Sequence, residues 1–186
     1  FLDDDESKQA HGYEGMQVLG GLNAWKALDS RFYFISSLYG VKNMTYFRTL
    51  VQSLDIPDER WATIIDPKAT VCSNVQVGRG SFIGPGCVIE PAAVVETRCA
   101  LLGNVYIAHH SKIEDYVVCA NSASIAGGVY IGRATYVGAN ATVHQYVEIG
   151  PYVTIGMGAV VLKPVAEGET VVGNPAKSIS ISVAQE

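Results

Sequence analysis

The sequence is short of the residues that mark several common functional classes. Positive charge is scarce: 13 Lys and Arg stand against 18 Asp and Glu, a formal net charge of -5, so no nucleic-acid partner is expected. No run of about eighteen apolar residues occurs, so no membrane span is expected. The start does not read as a secretory leader either, because Phe1-Leu2 runs at once into Asp3-Asp4-Asp5-Glu6. An initiator methionine is also missing, from which a true N-terminus upstream of Phe1 is expected.

What the sequence has instead is a period. From Ile65 to Ala166 an Ile, Val or Leu returns at every sixth position, with Cys119 the exception, in units such as IAHHSK, IEDYVV, CANSAS and IAGGVY. The fifth position of each unit is Ala, Ser, Thr, Cys or Val. A period of six is neither that of an amphipathic helix nor that of an isolated strand. It is a signature of a β-helix, in which short strands joined by turns stack coil on coil. First-position side chains then point inward as aliphatic columns, and small fifth-position side chains share the interior. Gly, Asn and Pro at the second to fourth positions shape the corners. With three units to a coil, residues eighteen apart lie above one another. No two of Cys72, Cys87, Cys99 and Cys119 are separated by a multiple of eighteen, so free thiols and a reducing, cytoplasmic compartment are expected.

Residues 1–60 have another texture. Phe1-Leu2 reads as a strand end entering an acidic loop, Gln17-Val18-Leu19 as a short apolar segment, and Leu22 to Leu28 as a short helix. Arg31 to Ser36 is a β-rich run, and Lys42 to Leu54 spaces Met44, Phe47, Val51 and Leu54 as a helix does. Alternation of this kind points to a small α/β domain with a parallel sheet. After Ala166 the period ends, and residues 167–177 (EGETVVGNPAK) are expected to close the open end of the solenoid.

The hexapeptides followed by VVGNPAK at Val171 to Lys177 resemble the hexapeptide-repeat acyltransferases. With FLDDD and QVLGG ahead of them, the chain is similar over nearly its whole length to the bacterial sialic acid O-acetyltransferase and amino-sugar N-acetyltransferase family, the NeuD and PglD types. The resemblance implies a mainly β fold: a left-handed parallel β-helix with C-terminal tail over 61–186, preceded over 1–60 by a small Rossmann-like α/β domain for the nucleotide sugar. That domain would lack its first strand and Gly-rich turn. Acetyl-CoA as co-substrate, no metal, a nucleotide-sugar acceptor and a homotrimer with active sites between subunits are also implied.

On individual residues, the resemblance puts the catalytic histidine at His109 and the nucleotide-holding acidic pair at Asp3 and Asp4. An imidazole suits the chemistry, since an amine or hydroxyl attacking a thioester must lose a proton. Independently of the family, Gly127 and Gly128 fall eighteen residues after His109 and His110. Two bare glycines there are expected to leave a ledge for a pantetheine arm, with the Gly127 N–H placed for a developing oxyanion. The family's acidic flank on the histidine is absent, Ala108 and His110 standing in its place. Glu90, eighteen before Ala108, is expected to approach His109 from the coil below, with Glu114 and Asp115 as alternatives, the latter two from a neighbouring subunit. Val118 replaces a second histidine found in some members.

Val143-His144-Gln145 resembles a VHQ segment of UDP-N-acetylglucosamine acyltransferases, and Gln145 falls directly above Gly127, on the catalytic face. Coenzyme A contacts carried over by resemblance are Gly127, Ala139, Gly156 and Met157, with Pro175 and Lys177 at the phosphate end. His109, His110 and His144 lack the five-residue His pair of β-helical carbonic anhydrases, so no metal site is expected.

Three functions stand side by side at this stage. The first is N-acetylation of a nucleotide-linked amino sugar in surface-glycan synthesis, by direct attack with His109 as general base. The second is O-acetylation of a sialic acid or related sugar. The third is a non-catalytic β-helix serving assembly or sensing.

Overall fold

The structure, a computed structural model, describes residues 1–38, 40 and 44–179. From Ile64–Ile65 to Val160–Val161, two-residue strands recur at each unit and pair in parallel with the strands eighteen residues away. Three sheets result. The first runs through Ile64–Ile65, Phe82–Ile83, Ala100–Leu101, Val118–Cys119, Tyr136–Val137 and Thr154–Ile155. The second holds Thr70–Val71 through Tyr106–Ile107 to Val160–Val161, and the third Gln76–Val77 through Lys112–Ile113 to Glu148–Ile149. This is a parallel β-helix of triangular section, consistent with the left-handed type.

The columns expected inside are there. Every first-position side chain from Ile83 to Val161 is at most 2% exposed, and each buried Ile or Val contributes roughly 1.5–3 kcal/mol over leaving it in water. Fifth positions do more than fill space. The buried Ser111 hydroxyl donates to Ala126 O at 2.9 Å and accepts from Val129 N–H at 3.3 Å, and Ser81 and Thr135 splice their coils in the same way. Fourth positions from Gly80 to Gly158 all adopt φ between 54° and 74°, although most are not glycine. Left-handed backbone costs an L-residue about 1–2 kcal/mol. From Arg98 to Gly158 each such turn gives its N–H a carbonyl in the coil below, as in His110 N–H to Pro91 O at 3.2 Å.

The period contracts at its end. Ile149 pairs with Val165 and Ile155 with Val171, each sixteen residues on, so VLKPVA is not a full hexapeptide unit as the register in the sequence predicts. Two residues are lost in the Pro164 turn between Val161 and Val165. Strand Thr170–Val172 then closes the first sheet and folds back antiparallel onto Lys177–Ile179.

Residues 1–60 depart further from expectation. Asp3 to Asp5 form the expected loop, but it is short and runs directly into a helix, α1 (Glu6–His11), whose N-cap Asp5 accepts from Ser7 N–H. Leu22–Ala27 is a 3-10 helix, and α2 spans Met44–Ser53, with 41–43 of the predicted helix outside the described residues. Among the described residues of this segment no strand ladder forms. Residues 1–3 lie beside 17–20 through bonds such as Leu19 N–H to Phe1 O at 2.9 Å, and the Arg31 to Ser36 run gives one parallel bridge, Phe34 to Trp61. A β-rich run without a neighbouring strand edge has nothing to extend against. The segment is anchored instead by α2, whose Met44 is buried with Ala100, Val118 and Ala134 on the outer face of the first sheet.

Candidate functional site

The coil has three corners. One follows the second sheet and carries residues 90–92, 108–110, 126–128 and 144–146, hence Glu90, both histidines, both glycines, His144 and Gln145; it is termed the histidine corner. The corner after the third sheet carries Glu114 and Asp115. The corner after the first carries Ala139, Gly156 and Met157.

At the histidine corner the imidazole of His109 lies against the α-carbon of Gly127. A Cβ on Gly127 would stand 2.7 Å from Cε1 and 2.9 Å from Nε2 of that ring, so only glycine admits it. The Gly127 N–H, unlike the third-position N–H groups of Thr97 and His109, which are taken by carboxylates, has no partner among the described residues. The ledge over the two glycines is not open as expected. His109 fills it over Gly127 from the coil below, and Tyr146, eighteen after Gly128, lays its ring over Gly128, where a Cβ would meet Cδ1 at 2.5 Å. Tyr146 is nonetheless 74% exposed, so the corner presents an imidazole and a phenol to solvent.

Glu90 does rise toward His109, but to its backbone. One carboxylate oxygen accepts from His109 N–H at 3.1 Å and the other from the Tyr106 hydroxyl at 2.6 Å. The Tyr106 bond, the His109 N–H and the attraction of the imidazole hold the Glu90 carboxyl below the usual range, while the same bond pushes the Tyr106 phenol up. The Nδ1 atoms of His109 and His110 are 3.1 Å apart. Sequence reasoning missed Tyr106 and Tyr146. The step of eighteen from Gly128 was signal enough for Tyr146, whereas Tyr106 reads only as one more outward strand residue.

Other candidates are elsewhere. Glu114 meets Lys112 at 3.4 Å, and Asp115 accepts from Thr97 N–H at 3.0 Å and its hydroxyl at 2.7 Å, so neither orients His109 within one chain. Val118 is buried beneath α2 on the first sheet, remote from the histidine corner. Ala139 and Met157 stack at the third of the three corners, where Gly158 N–H donates to Ala139 O at 2.8 Å and Met157 is 81% exposed. Gly156 N–H is taken by Val171 O at 2.8 Å. Pro175 precedes Ala176, whose N–H reaches Val160 O at 2.8 Å, and Lys177 pairs with Val172 in the closing hairpin. One chain therefore places Gly127 and the remaining coenzyme candidates on different corners.

Asp3 is bonded to Asp5 N–H at 3.0 Å and to Lys8 at 2.8 Å, and Asp4 Oδ1 accepts from Leu22 N–H at 2.7 Å. Asp3 is thus engaged within the fold, as is Oδ1 of Asp4. His144 and Gln145 are exposed, with His144 Nδ1 3.2 Å from Gln145 O. Among the described residues no group of three or more His, Cys, Asp or Glu is arranged to hold a metal. Burial pushes the Cys87 and Cys99 thiols up and Cys119 to about 12, which leaves these three without thiolate character at neutral pH. No helix among the described residues is long and apolar enough to cross a membrane.

Known proteins share this architecture. The bacterial transferase hexapeptide profile of six repeats matches residues 62–91 and 128–163. The acetyltransferase domain of PglB from Neisseria gonorrhoeae superposes with a TM-score of 0.84 at 25% identity, covering 96% of this chain and 85% of that one. PerB from Caulobacter crescentus, solved with CoA and GDP-perosamine, has a TM-score of 0.81 at 22% identity, over 90% of this chain and 80% of its own. Among curated relatives, the acyl-[acyl-carrier-protein]–UDP-N-acetylglucosamine O-acyltransferase of Pseudomonas putida GB-1 is 32% identical over 130 residues, 69% of this chain and 50% of the relative. The chain thus spans about half the length of the curated relatives it matches. Period, triangular coil and these likenesses agree: residues 62–91 and 128–163 carry the bacterial transferase hexapeptide repeat, in the architecture of the hexapeptide-repeat acyltransferases.

Proposed function

We propose that the chain is an acetyl-CoA-dependent acetyltransferase acting on the amine of a nucleotide-linked sugar in the cytoplasm, with His109 as general base. The observation that carries this reading is the exposed His109 ring seated on Gly127, beside a backbone N–H that has no partner. Support comes from the PglB acetyltransferase domain, also solved with acetyl coenzyme A, and from PerB with its bound GDP-perosamine.

In this mechanism the acceptor amine attacks the thioester carbonyl and His109 Nε2 takes the amine proton. The Gly127 N–H donates to the oxyanion of the tetrahedral intermediate. Collapse expels the coenzyme A thiolate, which takes the proton from the imidazolium, leaving an amide and a free thiol. No acyl-enzyme is formed, since among the described residues no Ser or Cys stands bonded to either ring. The coenzyme candidates Ala139, Gly156, Met157, Pro175 and Lys177 would meet His109 across a groove between two copies, one giving its histidine corner and the next its tail corner. A homotrimer closes such head-to-tail contacts. Of the acidic pair, Asp4 would meet the nucleotide through Oδ2.

A second reading is O-acylation, favoured by the 32% identical O-acyltransferase and by Gln145 above Gly127. Thiol release from acetyl-CoA with GDP-perosamine, UDP-N-acetylglucosamine or a free sialic acid as acceptor separates the two. Full turnover in His109→Ala would remove the mechanism from both, and release with no acceptor of the set would leave the non-catalytic reading.

A further inference from the structure

The partner of His109 is unusual in being another histidine. Nδ1 of His109 and Nδ1 of His110 lie 3.1 Å apart with the rings 83° to each other. Two neutral imidazoles at that separation are bonded only when one nitrogen carries hydrogen and the other a lone pair. If His110 donates, His109 keeps its hydrogen on Nε2 and offers an acceptor no basic nitrogen. If His109 donates, its Nε2 carries the lone pair, at the Gly127 ledge. Among the described residues no carboxylate is bonded to either ring; the oxygens of Glu90 accept from Tyr106 and from the His109 backbone. His110 itself is held by its left-handed turn, φ 59°, and by its N–H to Pro91 O.

We propose that His110 is the positioning residue for His109. Its Nδ1 accepts the hydrogen on Nδ1 of His109, fixing the tautomer a base needs and sharing the positive charge once Nε2 has taken the acceptor proton. Where a carboxylate partner would make the charged pair neutral, this one leaves it singly positive. The inference rests on the base role of His109 proposed above, but the tautomer can be read without turnover.

The test uses the full chain. Ring-nitrogen NMR of the ligand-free protein is expected to show His109 protonated at Nδ1, with that preference lost in His110→Ala. Acetyl transfer from acetyl-CoA to GDP-perosamine should show kcat about 10- to 100-fold lower in His110→Ala, with KM for acetyl-CoA within about twofold, a part of the roughly 10²–10⁴-fold that a general base contributes. His110→Asn places Oδ1 near the position of Nδ1 and tolerates positive φ, so it should restore both the tautomer and most of kcat. His109 protonated at Nε2 in the unaltered protein, or His110→Ala unchanged in tautomer and kcat, would overturn the proposal. If no acceptor is turned over, or His109→Ala keeps full activity, the proposed function falls, and the NMR result still decides the pairing.

Discussion

Two corners of the same coil have the same backbone and opposite uses. At the histidine corner, fourth positions Ala92, His110 and Tyr146 have φ of 61°, 59° and 60°; at the corner after the third sheet, Arg98, Tyr116 and Tyr152 have 57°, 60° and 58°. Each corner also has a carboxylate capping a third-position N–H one coil away: Glu90 on His109, Asp115 on Thr97. The difference is what lies outside. Arg48 of α2 bonds the Tyr152 hydroxyl at 2.8 Å and lies over the rings of Tyr152 and Tyr116, while Arg98 sits over Trp61 at 4.8 Å and pairs with Asp58 at 2.6 Å. That covered corner holds the N-terminal segment; the uncovered one keeps its imidazoles exposed. Identical turns thus serve docking at one corner and, at the other, leave room for the proposed chemistry, according to the side chains they aim outward and what meets them.

The change with the largest expected effect removes what both corners share. Ile107 is fully buried between Ile89 and Ile125 in the second sheet's inner column. Ile107→Ala should cost about 2–5 kcal/mol by urea denaturation, because a stacked column closes poorly around a missing side chain. A loss below 1 kcal/mol would mean the column is not closely packed and would blur the distinction between core and corner.

Next comes a change aimed at one corner only. In Gly127→Ala the new Cβ would displace the His109 ring, since 2.7 Å is well inside van der Waals contact. An expected loss of about 10²-fold or more in kcat, with denaturation nearly unchanged, would separate chemistry from stability. Equal damage to both would show that the ring seat is structural.

Arg48→Ala is the counterpart at the covered corner. It removes the Tyr152 bond and two stacking contacts, at about 1–2 kcal/mol for the docking of α2. Faster amide exchange in Met44–Ser53, with the solenoid's own protection unchanged, is the expected signature; protection lost throughout would make the two regions one cooperative unit.

The period made the solenoid legible residue by residue, because each inward position is fixed by local spacing and each neighbour by a step of eighteen. The same step puts Gly127 over His109 from the sequence alone. It failed where side chains choose direction: it left the glycine ledge empty when His109 and Tyr146 lie in it, and it aimed Glu90 at an imidazole when the backbone N–H was the nearer donor. The N-terminal segment was legible only in α2 and the 3-10 helix. Its β-rich run needed a partner edge that the described residues do not supply, and the cap at Asp5 was hidden in an acidic run that also reads as a loop.

The smallest expected effect concerns the two capping carboxylates, and pH sharpens it. The Tyr106 hydroxyl and the His109 N–H hold the Glu90 carboxyl below the ordinary glutamate range, so the folded form binds a proton less readily than the unfolded chain. Its contribution to stability is therefore complete above about 4.5 and disappears as pH falls through the lower folded value. A Glu90→Gln variant should melt slightly below the unaltered protein at neutral pH and match it once pH is well under that value. Since Glu90 is only partly buried and its carboxylate stays within reach of water, the gap should be small and should shrink further with salt. Tm measured from pH 3 to 7 tests this: a gap that widens toward acid would mean the carboxylate is not the stabilised form. The kinetic companion is a modest fall in kcat, because Glu90 holds the backbone beneath His109 and does not touch its ring, so a loss as large as that expected for Gly127→Ala would move Glu90 from the scaffold of the histidine corner into its chemistry.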